Sequence, residues 1–110
     1  MIEVKNIYDS ENINLTKEYF EDILKEKGFR LERIISFGNI TENNFWYDQD
    51  EDEFVLLLKG AAKIQLENQS VITLGEGDYI IIPAHVKHKV IYTDTKIKTY
   101  WLTCYFQNNL

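Results

Sequence analysis

The chain has 110 residues, of which 45% are apolar and 14% aromatic, so it can build one compact domain and is not a disordered chain. Its formal charge is −6 and its basic residues are scattered, which argues against nucleic acid and against an anionic membrane surface as partners. The only cysteine, Cys104, leaves no internal disulfide, and no apolar run approaches the roughly 20 residues of a membrane-spanning helix. We therefore expect a cytoplasmic protein.

The N-terminal part of the chain predicts a short strand and then the only helix. Ile2 and Val4 indicate an edge strand near the start. Asn14 can cap a helix over residues 15–27, and Gly28 stands where a helix commonly stops. The apolar side chains of this segment recur on one helical stripe: Leu15, Tyr19, Phe20, Ile23 and Leu24.

After Gly28 the sequence becomes a series of short strands. Turn signals such as "GEGD" at 75–78 separate them, and Pro83 ends the run "YIII" because proline cannot donate a ladder hydrogen bond. Many short strands with regular turns predict an all-β sandwich or barrel. We expect a single domain in which residues 1–36 cover a barrel formed by residues 37–110. The predicted strands are "FRLERIISF", "FVLLL", "AKIQLE", "SVITL", "DYIII", "HKVIYT" and "TYWLTCYF".

Two stretches of the chain share a recognisable spacing. Gly77 is followed after five intervening residues by Pro83, and Pro83 after four intervening residues by His88. Glu53 is followed after six residues by Gly60. With this spacing, roughly residues 37–106 resemble the cupin superfamily, whose small β-barrels carry two such motifs.

The match to the two cupin motifs is partial. In the second motif, His85 stands at the position of the last glycine and Tyr92 at that of the asparagine. In the first motif, Tyr47 and Gln49 stand where the two histidines belong, and a register longer by one residue would place Trp46 and Asp48 there instead.

The resemblance implies a cupin-type double-stranded β-helix, or jelly-roll barrel, to which we add one N-terminal accessory helix. It also implies a homodimer and a pocket for a small molecule. A typical cupin metal site uses three His and one Glu, but this chain has two histidines. The best available ligands for a divalent Fe, Mn, Ni or Zn ion are Gln49, Glu53 and His88.

Strand alternation gives an independent expectation for the direction of these side chains. His88 and Tyr92 share one face of "HKVIYT", while Lys87 and Lys89 share the other and favour solvent, so the His88 face should point inward. Glu53 opens an apolar run, where a buried carboxylate without a partner would cost several kcal/mol. His88 is its natural partner across the barrel.

The remaining acidic residues of "WYDQDEDEF" are expected to lie in a solvated loop at the barrel mouth, because acids fall on both faces of the segment. These residues are Asp48, Asp50, Glu51 and Asp52.

Three functions remain open at this stage. The first is a metal-dependent enzyme with Gln49, Glu53 and His88 as ligands. The second is a metal-free isomerase or epimerase, in which His88 or His85 acts as the base and Tyr47 or Tyr92 as the acid.

The third function is a module that binds a small molecule without turnover. His85 would line such a pocket together with Trp101 and Tyr105 of the aromatic last strand.

Overall fold

The computed structural model describes residues 1–107, so the last three residues of the predicted barrel segment, 108–110, lie outside the described residues. All regular structure within the described part is β. Its eight strands are β1 (Tyr19–Glu26), β2 (Phe29–Ser36), β3 (Asp52–Lys59), β4 (Ala62–Leu66), β5 (Val71–Leu74), β6 (Tyr79–Ile82), β7 (His88–Thr93) and β8 (Thr99–Phe106).

The strands form two antiparallel sheets. The larger sheet has the order β1-β2-β8-β3-β6, and the smaller has the order β5-β4-β7. Side chains from both sheets meet in one apolar core, because alternate residues of each strand point to the same side. This confirms the predicted all-β jelly roll, with β2 to β8 in the positions of the seven predicted strands. The core includes Ile34, Val55, Leu57, Ile64 and Trp101.

The prediction of a helix over residues 15–27 is wrong. Tyr19–Glu26 form β1, which pairs with β2 and adds an outer strand to the larger sheet. A bulge at Ile23, which has no partner on β2, interrupts the alternation that would have revealed a strand. Gly28 has φ 75° in the turn between β1 and β2, and a left-handed glycine suits such a turn as well as a helix end.

The N-terminal strand predicted from Ile2 and Val4 is also wrong, because no residue before Tyr19 belongs to a strand. The two side chains are 97% and 94% exposed, so they bury nothing that would hold a strand in place. The segment is instead attached through Arg33 of β2, whose guanidinium donates to the carbonyls of Ile7 at 3.0 Å and Asp9 at 2.6 Å.

A second bulge changes the direction of side chains in β7. Val90 pairs with Ile64 of β4 and Tyr92 with Lys63, so Ile91 is an extra residue between the two pairs. Beyond it the alternation is reversed: Thr93 is buried, and Tyr92 is 41% exposed. The prediction that Tyr92 faces the interior with His88 is therefore wrong.

No helix long and apolar enough to cross a membrane occurs among residues 1–107.

Gly60 and Gly77 provide a test of close packing around the barrel. Both have positive φ, 98° and 84°. A methyl group at Gly60 would lie 2.7 Å from Cα of Thr99, whereas one at Gly77 would meet nothing within 4 Å. We expect Gly60→Ala to lower the free energy of unfolding by about 2–4 kcal/mol, because it adds a backbone clash to the strain of positive φ.

Gly77→Ala is the matched control, with an expected loss of only about 1 kcal/mol. Urea unfolding of both variants measures the difference. Equal losses would show that the approach of Thr99 to Gly60 does not constrain the fold.

Candidate functional site

A cavity of about 50 Å³ lies between the two sheets. Six of the eight predicted site residues line it. Residues of the larger sheet, of the smaller sheet and of the loop before β3 all contribute, so the folded barrel is needed to assemble it. The six are Tyr47, Gln49, Glu53, His88, Trp101 and Tyr105.

Glu53 and His88 meet inside this cavity. Glu53 shares the inward face of β3 with Val55 and Leu57, and only 6% of the residue is exposed. His88 begins β7 and is held by two backbone hydrogen bonds to Tyr47, of 2.8 and 3.1 Å. Nε2 of His88 lies 3.4 Å from Oε1 of Glu53. The predicted convergence of these two distant residues is therefore found.

The other ring nitrogen of His88 fixes the orientation of the imidazole. Nδ1 lies 2.9 Å from the carbonyl oxygen of Val86, to which its proton is donated, so Nε2 is turned toward Glu53. At 3.4 Å the Glu53 contact is longer than a normal hydrogen bond, and its attraction is ionic when the ring is protonated.

The protonation of His88 reflects opposing influences. Burial of the ring lowers the pKa of His88, but Glu53 and the carbonyl of Val86 together raise it by more, so the pKa lies above its ordinary value of 6.5. The pair can therefore hold a proton at near-neutral pH, with an acid and a base side by side.

Two buried acceptors at this site have no hydrogen-bond partner: Oε1 of Glu53 and Oε1 of Gln49. A buried polar atom left without a partner costs about 1–3 kcal/mol. Such atoms are uncommon in native proteins and are frequently explained by a bound group. The cavity therefore offers acceptors that a ligand can satisfy.

Two phenols line the same space. Burial raises the pKa of Tyr47, and the negative charges of Glu18, Glu53 and Glu32 raise it further. Burial, followed by Glu53 and Glu32, raises the pKa of Tyr105 as well. Both hydroxyl groups stay protonated at neutral pH and can donate hydrogen bonds. The ring of Tyr47 also stacks on His88, with ring centres 5.6 Å apart.

Sequence reasoning missed two carboxyl groups, of which Glu32 is buried and Glu18 is partly buried. Glu18 lines the cavity and accepts a hydrogen bond of 2.5 Å from the hydroxyl of Ser36, which in turn accepts one of 3.2 Å from Nε1 of Trp101. Burial raises the pKa of Glu18, and the Ser36 hydrogen bond only partly opposes it. Burial likewise raises the pKa of Glu32, which lies 3.5 Å from the hydroxyl of Tyr105.

Glu18 was missed because the segment was interpreted as helical. Had residues 18–26 been treated as extended, Glu18 and Phe20 would have shared one face of the strand, and both line the cavity. Alternation was the signal that could have found them.

His85 and Tyr92 lie outside the cavity. The His85 side chain is 64% exposed, with Nδ1 2.8 Å from Asp48 and Nε2 3.3 Å from Asp50. Its left-handed backbone, with φ 64°, agrees with its place at a glycine position of the motif. Its amide donates to the carbonyl of Gln49 at 2.8 Å, so His85 anchors the loop that carries Gln49 and does not line the pocket.

A wider cleft of about 430 Å³ adjoins the inner cavity. Glu18, Phe20 and Tyr47 line both spaces and form the boundary between them. The cleft adds apolar surface from Ile40 and Phe45. A ligand larger than the inner cavity can therefore place one end inside and the remainder in the cleft.

Comparison with known proteins identifies the architecture. The family model described as Cupin domain matches residues 38–105. The chain belongs to the cupin family. A search of curated proteins finds no significant match to this cupin.

Three solved structures are similar to this cupin. A Ralstonia eutropha JMP134 protein named "putative mannose-6-phosphate isomerase" is 32% identical, with a TM-score of 0.90 over 97% of this chain and 100% of that one. The protein TT1209 from Thermus thermophilus is 14% identical, with a TM-score of 0.78 over 96% and 98%. A cupin superfamily protein from Desulfitobacterium hafniense DCB-2 is 16% identical, with a TM-score of 0.72 over 86% and 82%.

The residues of this cupin do not fit the usual metal centre of the family. Glu53 and His88 are two strong ligands, while Gln49 offers only a neutral oxygen. Within residues 1–107, no group of three or more His, Cys, Asp or Glu side chains is placed to hold a metal ion. His85, the other histidine of the chain, contacts Asp48 and Asp50 at the surface.

Glu53→Gln tests the electrostatic origin of the His88 pKa. The substitution removes the negative charge while keeping the shape, so the pKa of His88 should fall, since burial then acts against a weaker attraction. An NMR titration of the imidazole ring protons measures the pKa of each histidine. The signal of the exposed His85 is identified because it is missing in His85→Gln. An unchanged His88 pKa in Glu53→Gln would rule out the carboxylate as its cause.

The same variant gives a stability difference whose pH dependence has a defined direction. Because the folded pKa of His88 is raised, the pair contributes its full stability below about pH 6.5 and loses it as pH rises through the folded pKa. The excess stability of the wild type over Glu53→Gln, from urea unfolding, should therefore be larger at pH 5.5 than at pH 8.5.

Proposed function

We propose that this cupin is an enzyme that transfers a proton within a small carbonyl compound, as an isomerase or epimerase does, without a bound metal. The observation that supports the proposal is the buried contact between Glu53 and His88 at the wall of a cavity. A carboxylate and an imidazolium held together supply a base and an acid at one point.

The chemistry follows from the positions of three groups. The Glu53 carboxylate takes a proton from the carbon next to a carbonyl group, and protonated His88 gives one to the carbonyl oxygen. The resulting enediol returns to a carbonyl compound when protonated Glu53 gives its proton to the neighbouring carbon and His88 takes one from the neighbouring hydroxyl. Tyr47, whose phenol is protonated and stacks on His88, is a second donor for the oxygen.

The name of the Ralstonia relative supports isomerase chemistry, and its 32% identity extends over nearly the whole chain. Its named substrate is less well supported here. Among the described residues that line the cavity and the cleft, Lys17 in the cleft is the only Lys or Arg. A phosphate group would have few charged partners, so mannose and mannose 6-phosphate are both included in the test below.

Exchange of carbon-bound protons in D₂O tests the reaction. Mannose or mannose 6-phosphate is incubated with the protein in D₂O. Deuterium should then appear at the carbon next to the carbonyl, and NMR measures its incorporation. Loss of a general acid or base typically costs 10²–10⁴-fold in rate. His88→Gln and Glu53→Gln should lose exchange by that order, and activity should survive dialysis against a chelator.

Tyr92→Phe and His85→Gln are the controls, because neither residue lines the cavity, and both should keep the wild-type rate. Exchange that persists in His88→Gln would contradict the proposed reaction. A compound that stabilises the protein but is always recovered unchanged would favour the binding-module alternative. A rate lost on chelation and restored by Fe, Mn, Ni or Zn would favour the metal-dependent alternative.

We also propose that the cupin forms a homodimer through the outer face of the five-stranded sheet. Phe54 and Leu56 of β3 lie beside Cys104 and Leu102 of β8 on this face, opposite Glu53 and the cavity. Tyr79 and Ile81 of β6 extend the same apolar surface and are 64% and 59% exposed. No helix covers this face within residues 1–107, and a second copy would bury it.

Leu56→Asp tests the dimer by placing a charge in the middle of this face. Burying an unpaired carboxylate costs several kcal/mol, so the dissociation constant should rise at least about 100-fold. Light scattering during size-exclusion chromatography measures the mass of the particle. Ile97→Asp, which adds the same charge in the turn before β8, should leave the mass unchanged. A dimer that survives Leu56→Asp would contradict this interface.

A further inference from the structure

The inner cavity presents hydrogen-bond acceptors that have no donor. Oε1 of Glu53 and Oε1 of Gln49 are buried and lack partners, and both are acceptors. Among residues 1–107, no buried side-chain donor lacks a partner in the same way. Glu53 is more than nine-tenths buried and lines the cavity. Apart from its 3.4 Å contact with Nε2 of His88, its Oε1 is available only to a group that enters there. Such a group must bring hydrogen-bond donors.

The charge of the cavity also favours a ligand that carries hydrogen-bond donors. Glu53 and Glu18 line it, and no Lys or Arg does so among the described residues. His88, which contacts Glu53, is the one lining group that can carry a positive charge, so the lining is net negative when both carboxyl groups are ionised. Glu32 lies behind Tyr105 and adds to the same potential. The negative charges of these three carboxyl groups act together on Tyr47 in the wall. The interior is therefore attractive to a positive group and repels a phosphate or carboxylate.

Aromatic rings form much of the remaining wall. Phe20, Tyr47, Trp101 and Tyr105 all line the cavity. The faces of such rings attract cations through their quadrupoles, most strongly where water is excluded. Carboxylates combined with aromatic faces make a setting in which a cation loses little on leaving water.

The dimensions limit the shape of the ligand. A space of about 50 Å³ holds a head group of a few heavy atoms, since about 10–15 Å³ on this measure suffices for one water molecule. The adjoining cleft of about 430 Å³ shares Glu18, Phe20 and Tyr47 with it. A compact charged head can occupy the cavity while an uncharged body lies in the cleft.

We propose that the ligand of this site is a small primary amine in its protonated form. Its ammonium group donates to Glu53 and Gln49 inside the cavity, and its body extends past Phe20 and Tyr47 into the cleft. The inference goes beyond the proposed function, because an amine held by Glu53 occupies the carboxylate that acts as the base in the proposed reaction and so competes with the carbonyl substrate. An ammonium group has three donors and no acceptor, so it satisfies both free oxygens at once.

Other head groups fit less well. A hydroxyl has a single donor and adds lone pairs to a site already rich in acceptors. A carboxylate or phosphate brings only acceptors and negative charge at neutral pH. A guanidinium has the donors but is larger than an ammonium group in a cavity of this volume.

Three probes of equal length separate these cases: propylammonium, 1-propanol and propionate. Each is titrated into the ¹⁵N-labelled full chain at constant pH and ionic strength, and the indole N–H signal of Trp101, a cavity residue, is followed by NMR. Trp46→Phe identifies the Trp101 signal. We expect a saturable shift with propylammonium and at least tenfold weaker binding of both other probes.

Two substitutions locate the binding. Glu53→Gln should weaken propylammonium binding about tenfold, through loss of a charged acceptor, and Gln49→Met about threefold, through loss of a neutral one. Glu26→Gln removes the same charge at the exposed end of β1 and should leave binding unchanged. If Glu53→Gln does not fold, Gln49→Met still carries the test. Retention of the Trp101 signal dispersion confirms that each variant is folded.

Several results would overturn the inference. Binding of 1-propanol or propionate as tight as that of propylammonium would show that charge and donors do not select the ligand. Propylammonium binding unaffected by Gln49→Met and by Glu53→Gln would place it elsewhere. Saturable binding of Zn²⁺ or Mn²⁺ that depends on Glu53 and Gln49 would assign the free oxygens to a metal.

The test is independent of the proposed reaction. Tighter binding of 1-propanol than of propylammonium would contradict the proposed amine ligand without affecting the result of the exchange assay. Deuterium exchange that persists in His88→Gln would contradict the proposed reaction, whereas the proposal of amine binding would be unaffected.

Discussion

The burial of the Glu53 carboxylate against His88 constrains the rest of the structure. A buried charge costs several kcal/mol unless a partner offsets it, and its partner comes from the opposite sheet, 35 residues along the chain. The hydrogen bond from His88 to Val86 and the backbone pairing with Tyr47 fix the imidazole where it meets the carboxylate. Closure of the barrel and assembly of the site are thus one event.

The interior of this cupin combines an apolar core with an acidic chamber. Glu18, Glu32 and Glu53 converge without a lysine or arginine among the described residues of the cavity lining, although Arg30 approaches Glu32 from outside. Such an arrangement reduces stability, since two of these carboxyl groups have raised pKa values from burial. A fold selected for stability alone would fill the space with apolar side chains. The retained charge is a sign of function.

The sequence was sufficient to predict most of the barrel and the centre of the site. Alternation and turn residues predicted seven strands. The spacings from Glu53 to Gly60 and from Gly77 to His88 carried the resemblance to cupins, and that resemblance implied that Glu53 and His88 meet. The wrong prediction of a helix over residues 15–27 and the wrong orientation of Tyr92 share one physical cause, which is the β-bulge. A single extra residue, Ile23 in β1 or Ile91 in β7, interrupts the alternation, and no local pattern in the sequence marks its position.

The presence of β1 where a helix was predicted affects how copies of the chain can associate. β1 is an edge of the larger sheet, and an edge with free backbone groups can recruit further strands without limit. Its exposed charges, among them Asp22, Lys25 and Glu26, oppose such growth, and the other edge, β6, has four residues and stops before Pro83. The proposed face-to-face contact differs from edge pairing in that it ends at two subunits instead of extending into a fibre.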